Sequence, residues 1–236
     1  PAAFILLFKG DPKQAKESLY EFVAEYLSRS KTPEYSIRYE SVAADTTEQQ
    51  LLERAQKAKE TNADIFCLNG KQDWTIEKKP YLGKLSQSVH DMGMKFGLCI
   101  KLAERDGQVP AEYSQWAVKL KDGSDCSLPD GEKIMCLGSE YVIYAAYEMD
   151  ELVKELGVDY VKLTGQMITE GCFAKDHIHR SSAESLWYIY DGLFAIIKYL
   201  HSQHPDLIID VSPESYNPTG TIDYALLKYA DIRWQF

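Results

Sequence analysis

Three groups of residues in this 236-residue chain have the types and spacing that chemistry requires. Asp210 and Glu214 crowd the end of one apolar run, Leu207 to Val211. Two carboxyls on either side of a glycosidic bond divide acid and nucleophile or base roles, and their separation sets the stereochemical outcome. The same pair can equally face solvent or cap a following helix. Lys162 follows the mostly apolar Val158 to Val161. A lysine set into a buried strand needs a partner, so it is either a functional cation or half of a structural ion pair. Asp176-His177-Ile178-His179 is the third group. Alternating His-x-His can ligate zinc from a strand, yet no matching cluster lies nearby in the sequence and a helix cap follows. That segment is expected to be a solvated loop.

Other polar and aromatic residues stand at the C-terminal ends of apolar runs. Asn69, with Asp73 and Trp74, follows Asp64 to Leu68; Lys101 and Glu104 follow Lys95 to Ile100. Thr164 and Gln166 come just after Lys162, Ser212 lies between Asp210 and Glu214, and Trp234 sits in the last run, Asp231 to Phe236. There is no HExxH and no Ser-His-Asp arrangement. Aromatic faces beside amides, carboxylates and a lysine suit a polyhydroxylated ligand, whose C–H surfaces stack while its hydroxyls hydrogen-bond. The expected catalytic residues are therefore Asp210 and Glu214. The expected ligand contacts are Asn69, Trp74, Lys101, Lys162, Thr164 and Trp234, with no metal and no cofactor.

Such residues need a frame that gathers strand ends. Strand-like runs alternate with helical patterns along the chain. Thr47 and Gln50 form a capping box before the apolar stripe Leu51, Leu52, Ala55 and Ala58. Further helices are expected after the start signal Asp11-Pro12 (with Leu19, Phe22, Val23, Tyr26 and Leu27 on one face), at Tyr81 to Asp91, Ser139 to Leu156 (ending at Gly157), and after the Ser181/Glu184 cap as far as Leu200, with a short one near Tyr224. Trp187, Tyr188 and Tyr190 have core spacing on the long helix and are expected to pack. The stretch containing Gly107, Pro110, Gly123, Pro129 and Gly131 is too long for a plain connection and reads as an elaborated loop. Ala2 to Phe8 is an early strand candidate, and six strands are expected after residue 35.

Nearly all-apolar strands, each followed by an amphipathic helix, indicate a parallel sheet covered on both sides. The fold class expected is α/β, a (β/α)8 barrel type with about six units visible, since a full barrel takes roughly 250 residues. An open doubly wound sheet is the alternative, weakened by the lack of GxGxxG or GxxxxGK[ST] after any strand.

Composition narrows the partners. Twenty-six basic against 36 acidic side chains leave a formal charge of −10. That charge repels phosphate backbones and acidic lipid surfaces, so neither nucleic acid nor a membrane is expected as partner. The longest apolar runs are too short to span a bilayer. Five cysteines without a CxxC pair argue against a disulfide framework or a Cys-rich zinc site. Cys67 and Cys99 read as small core residues, and Cys126 with Cys136 could bridge a loop.

The strand-end motifs resemble the α-galactosidase-type barrels of glycoside hydrolase family 36. Leu156-Gly157-Val158-Asp159-Tyr160-Val161-Lys162 resembles that family's GIDYIKWD strand, and His90 to Leu98 resembles H-x-x-GMKFGLW. Ala55 to Leu68, His204 to Asp210 and Tyr229 to Trp234 resemble its second, fifth and sixth strand approaches in the same order. The resemblance implies a linker strand and helix over residues 1–35 leading from a β-sandwich, and a barrel domain over 36–236. It implies a carbohydrate substrate, α-galactosides foremost, and a neighbouring β-sandwich domain or a homo-oligomer. The family's nucleophile is the aspartate after Lys-Trp; here Lys162-Leu163 is followed by Thr164. Its Asp-Asp pair becomes Asn69-Gly70, its Cys-x-Gly-Gly-Gly loop becomes Ser212 to Ser215, and its acid/base aspartate falls beyond Phe236. Two functions follow: a divergent glycosidase with a replaced nucleophile, or a catalytically silent barrel that binds carbohydrate or acts as a structural domain.

Overall fold

The computed structural model describes residues 9–22, 25–26, 29, 35–43, 45–70, 80–105, 111–166, 170–212, 226 and 228–231. Alternation at period two and stripes at period 3.6 resolve into the expected elements. The chain runs through α1 (Pro12–Phe22), β1 (Ile37–Val42), α2 (Glu48–Glu60), β2 (Ile65–Gly70), α3 (Leu82–Asp91) and β3 (Lys95–Lys101). It continues through β4 (Glu104–Arg105), β5 (Lys133–Ile134), α4 (Tyr141–Leu156), β6 (Tyr160–Thr164), α5 (Ser182–Gln203) and β7 (Ile208–Val211). The Thr47 capping box forms with both of its hydrogen bonds, and Gly157 ends α4 in the left-handed conformation. Ser181 accepts from the Glu184 amide to start α5.

β1, β2, β3, β6 and β7 make one parallel sheet whose spatial order follows chain order. A doubly wound sheet reverses direction at a switch point. Among the described strands there is no reversal, so the arrangement is the barrel type, seen here as an arc of five strands. Ala2 to Phe8, the short helix near Tyr224 (apart from Leu226) and the run after Asp231 lie outside the described residues.

One recurring device sets the strand entrances. Asp64 donates its amide to the Ser36 carbonyl at 2.8 Å, and its carboxylate accepts from the Ser36 amide at 2.8 Å. Asp159 does the same to Phe96, and Asp231 to Ile209. His90 and His201 then close on Asp159 and Asp231 at 2.7 and 2.6 Å. Asp231 thus stands to β7 as Asp159 stands to β3.

The outward face of the sheet carries Phe66, Leu68, Phe96, Leu98, Val161, Leu163 and Ile209, buried against α2 to α5. Each such side chain contributes about 1.5–3 kcal/mol. The long loop is elaborated as expected: a 3-10 turn (Ala111–Trp116) lies between β4 and β5, which pair antiparallel. On α5 Tyr190 packs against the core as expected, but the expectation for Trp187 is corrected. Trp187 is 61 % exposed, and the buried stripe is Ser185, Ile189, Leu193, Ile196, Ile197 and Leu200. The stripe advances by three and four residues from Ser185, which turns Trp187 to solvent. Among the described residues no helix is long and apolar enough to cross a membrane.

Candidate functional site

Alternation along each strand sends a second set of side chains to the concave face. Register aligns them in layers: Tyr39, Cys67, Gly97, Tyr160 and Ile208, then Cys99, Lys162 and Asp210, then Lys101 and Thr164. Cys67 and Cys99 are buried here with their sulfurs 3.6 Å apart, on the inner face of the sheet. Gly97 makes this layer possible, because a Cβ there would meet Tyr160 Cδ1 at 2.7 Å.

The polar centre of this face is a connected network. The Tyr160 hydroxyl donates to Asp210 Oδ2 at 2.7 Å and shares a 2.8 Å hydrogen bond with the Tyr39 hydroxyl. Lys162 Nζ stands 4.7 Å from the centre of the Tyr39 ring, the reach of a cation–π contact. Asp210 is buried, 4 % exposed. Burial lowers the pKa of the Lys162 ammonium, but the Asp210 charge and Tyr39 outweigh it, so the group sits above the usual lysine value. Burial and then the Asp210 charge push the Tyr160 hydroxyl up, so it remains a donor. Lys162 and Asp210 are thus gathered as one charged pair of neighbours on adjacent strands.

Lys101 is placed differently. Its ammonium lies 2.6 Å from Glu104 and 2.8 Å from Glu132, both buried. Burial lowers its pKa, but the two carboxylates more than reverse that. Glu104 also accepts from the Gln166 amide, where Gly165 adopts φ +87° and a Cβ would come within 3.1 Å of the carboxyl carbon. Lys101 therefore ties the elaborated loop to the end of β6. Thr164 ends β6 and its carbonyl accepts from the Leu102 amide at 3.3 Å. Asn69 lies on β2 opposite Ser41 and is exposed. Glu214, Trp74 and Trp234 lie outside the described residues.

Sequence reasoning placed Glu104 beside Lys101 at a strand end but missed Tyr39, Tyr160 and Glu132. The first two were legible: Tyr39 alternates with Ile37, and Tyr160 with Lys162. Glu132 was not, because its relation to Lys101 depends on how the long loop folds back. The expected solvated loop at 176–179 is also corrected. His179 is 2 % exposed, and a bridge between Cys126 and Cys136 does not form, since all five cysteines are free.

The Melibiase family model matches residues 19–236. No curated protein matches the chain by sequence. Among solved structures it is similar to a variant of the family 36 α-galactosidase AgaA from Geobacillus stearothermophilus in complex with stachyose. That match has a TM-score of 0.75 at 15 % identity, covering 92 % of this chain and 33 % of the other. An α-galactosidase from Lactobacillus brevis gives 0.67 at 19 %, covering 84 % and 29 %. TtGalA, an α-galactosidase from Thermus thermophilus in complex with stachyose, gives 0.62 at 17 %, covering 89 % and 46 %. The chain thus spans between 29 % and 46 % of the length of these structures.

Proposed function

This chain belongs to the Melibiase family, and we propose from that premise that the whole protein hydrolyses α-linked galactosides with a carboxylate that stands in for the missing nucleophile. The domain is an α-galactosidase-like glycoside hydrolase domain; substrate and mechanism are the proposal. Residues 1–35 lead into the barrel of 36–236. The observation that carries the reading is the Asp210 carboxylate beside Lys162 on the concave face, held by Tyr160 at 2.7 Å.

Lys162 and Asn69 bind sugar hydroxyls, and Trp74 and Trp234 stack on the ring. Asp210 or Glu214 attacks the anomeric carbon as the bond to the leaving oxygen breaks and that oxygen takes a proton from an acid. Water then displaces the carboxylate, with net retention. In the inverting variant the carboxylate deprotonates a water instead, in the space that the short side chain of Thr164 leaves. Proton NMR of the first sugar released separates the two. Asp210→Asn and Glu214→Gln variants should identify the carboxylate, through a loss of turnover of about 10³-fold or more.

A second reading is favoured by the burial of Asp210 and its engagement by Tyr160: a barrel that binds α-galactosides without cleaving them. Calorimetric binding of raffinose without aryl α-galactoside hydrolysis would establish it in place of the first.

A further inference from the structure

Two loops at the C-terminal ends of the sheet bring four soft ligands together. Cys136 follows β5 in the β3-to-α4 connection, while Cys172, His177 and His179 lie in the connection from β6 to α5. Their ligand atoms all lie within 4.8 Å of one another, and Cys136, Cys172 and His179 are buried. From this arrangement we propose a structural zinc site, Cys136, Cys172, His177 and His179, that staples the two loops beside the sugar-binding face.

Three observations support it. The first is geometry. Zinc bonds of about 2.3 Å to sulfur and about 2.05 Å to nitrogen, in a tetrahedron, place each sulfur about 3.6 Å from each nitrogen. Cys136 Sγ lies 3.6 Å from His179 Nε2, and Cys172 Sγ lies 3.4 Å from His177 Nδ1.

The second is the direction of the imidazoles. His177 Nε2 lies 2.9 Å from the Gln115 carbonyl, which can only accept, so the proton sits on Nε2. In the neutral ring this leaves a bare lone pair on Nδ1 facing sulfur. A second-sphere carbonyl of this kind holds a metal-bound histidine in its ligating tautomer. The third is His179, a ring 2 % exposed whose Nε2 meets the Cys136 thiol, a weak partner that the metal would replace. Hydrogen bonding alone serves that ring poorly.

Two sulfurs and two imidazoles select zinc over calcium or magnesium. With all four positions filled by protein, the site has no open position for substrate and is structural. It joins the loop anchored by Lys101 to the segment that follows Thr164, which the sequence places thirty-six residues apart or more. His177 and His179 in the sequence lack a visible partner because Cys136 reaches them only through the fold.

Metal analysis of the reduced whole protein, purified without a metal-affinity tag, should find about one zinc per chain. Removal by chelator and refilling with cobalt(II) should give the visible absorption of a tetrahedral site and its thiolate charge-transfer band. Cys136→Ser and Cys172→Ser should each lose the zinc and the band. Should those variants fail to fold, the cobalt spectrum of the wild type decides. Three results would overturn the proposal: no zinc taken up by reduced protein, a Cys136–Cys172 disulfide in the purified chain, or zinc retained in both variants. A metal-free thiolate–imidazolium pair between Cys172 and His177 would show as the first of these.

Discussion

Tyr160 is the residue on which the concave face depends. Its ring fills the space left by Gly97, and its hydroxyl is shared between Tyr39 and Asp210. A hydrogen bond to a charged group contributes about 1.5–3 kcal/mol, so Tyr160→Phe should lower unfolding free energy by that amount in urea titration. An unchanged midpoint would mean that Asp210 is supported elsewhere. The residue scale is also where the sequence was least legible. Lys162 and Asp210 were visible as strand-end charges, yet their neighbourhood follows from a register between strands some fifty residues apart. Lys101 read as a ligand contact because Glu132, its partner at 2.8 Å, lies on the far side of the elaborated loop.

At the scale of elements, α5 packs closely on the loop before α4. A Cβ at Gly192 would come 2.2 Å from the Leu137 carbonyl oxygen and 3.0 Å from its carbon. Backbone cannot yield as a flexible side chain can, so Gly192→Ala should destabilise the fold by about 3 kcal/mol, toward the upper end of overpacking costs. Thermal or urea unfolding checks this, and a neutral result would show that α5 can shift. Elements were the most legible level, because caps and stripes are local: Thr47 with Gln50, Gly157 and Ser181 mark helix ends without help from tertiary structure. The exception was the face of α5, where aromatic spacing suggested burial of Trp187 and the Ser185 to Leu200 stripe prevailed. The β4–β5 pairing was not legible, since its two-residue strands have too few positions to show a period.

For the whole molecule, the strand entrances give a pH signature. Burial raises the Asp231 pKa, but hydrogen bonds from His201 and the Ile209 amide, with Arg29, bring it below the usual aspartate value. A carboxyl lowered on folding stabilises fully above its unfolded value of about 4, and that stability is lost as pH falls through the folded value. Asp231→Asn should therefore be less stable than wild type at neutral pH, with the difference closing on acidification below about pH 4. A difference that is constant with pH would contradict this. Chain-ordered parallel strands and the Melibiase match make the barrel an α-galactosidase-like domain. The most direct measurement is aryl release from α- and β-galactosides by the whole protein and its Asp210→Asn variant. Hydrolysis confined to the α-anomer and lost in the variant by about 10³-fold or more is the result expected. Full α-galactosidase activity in Asp210→Asn would contradict the assignment of Asp210.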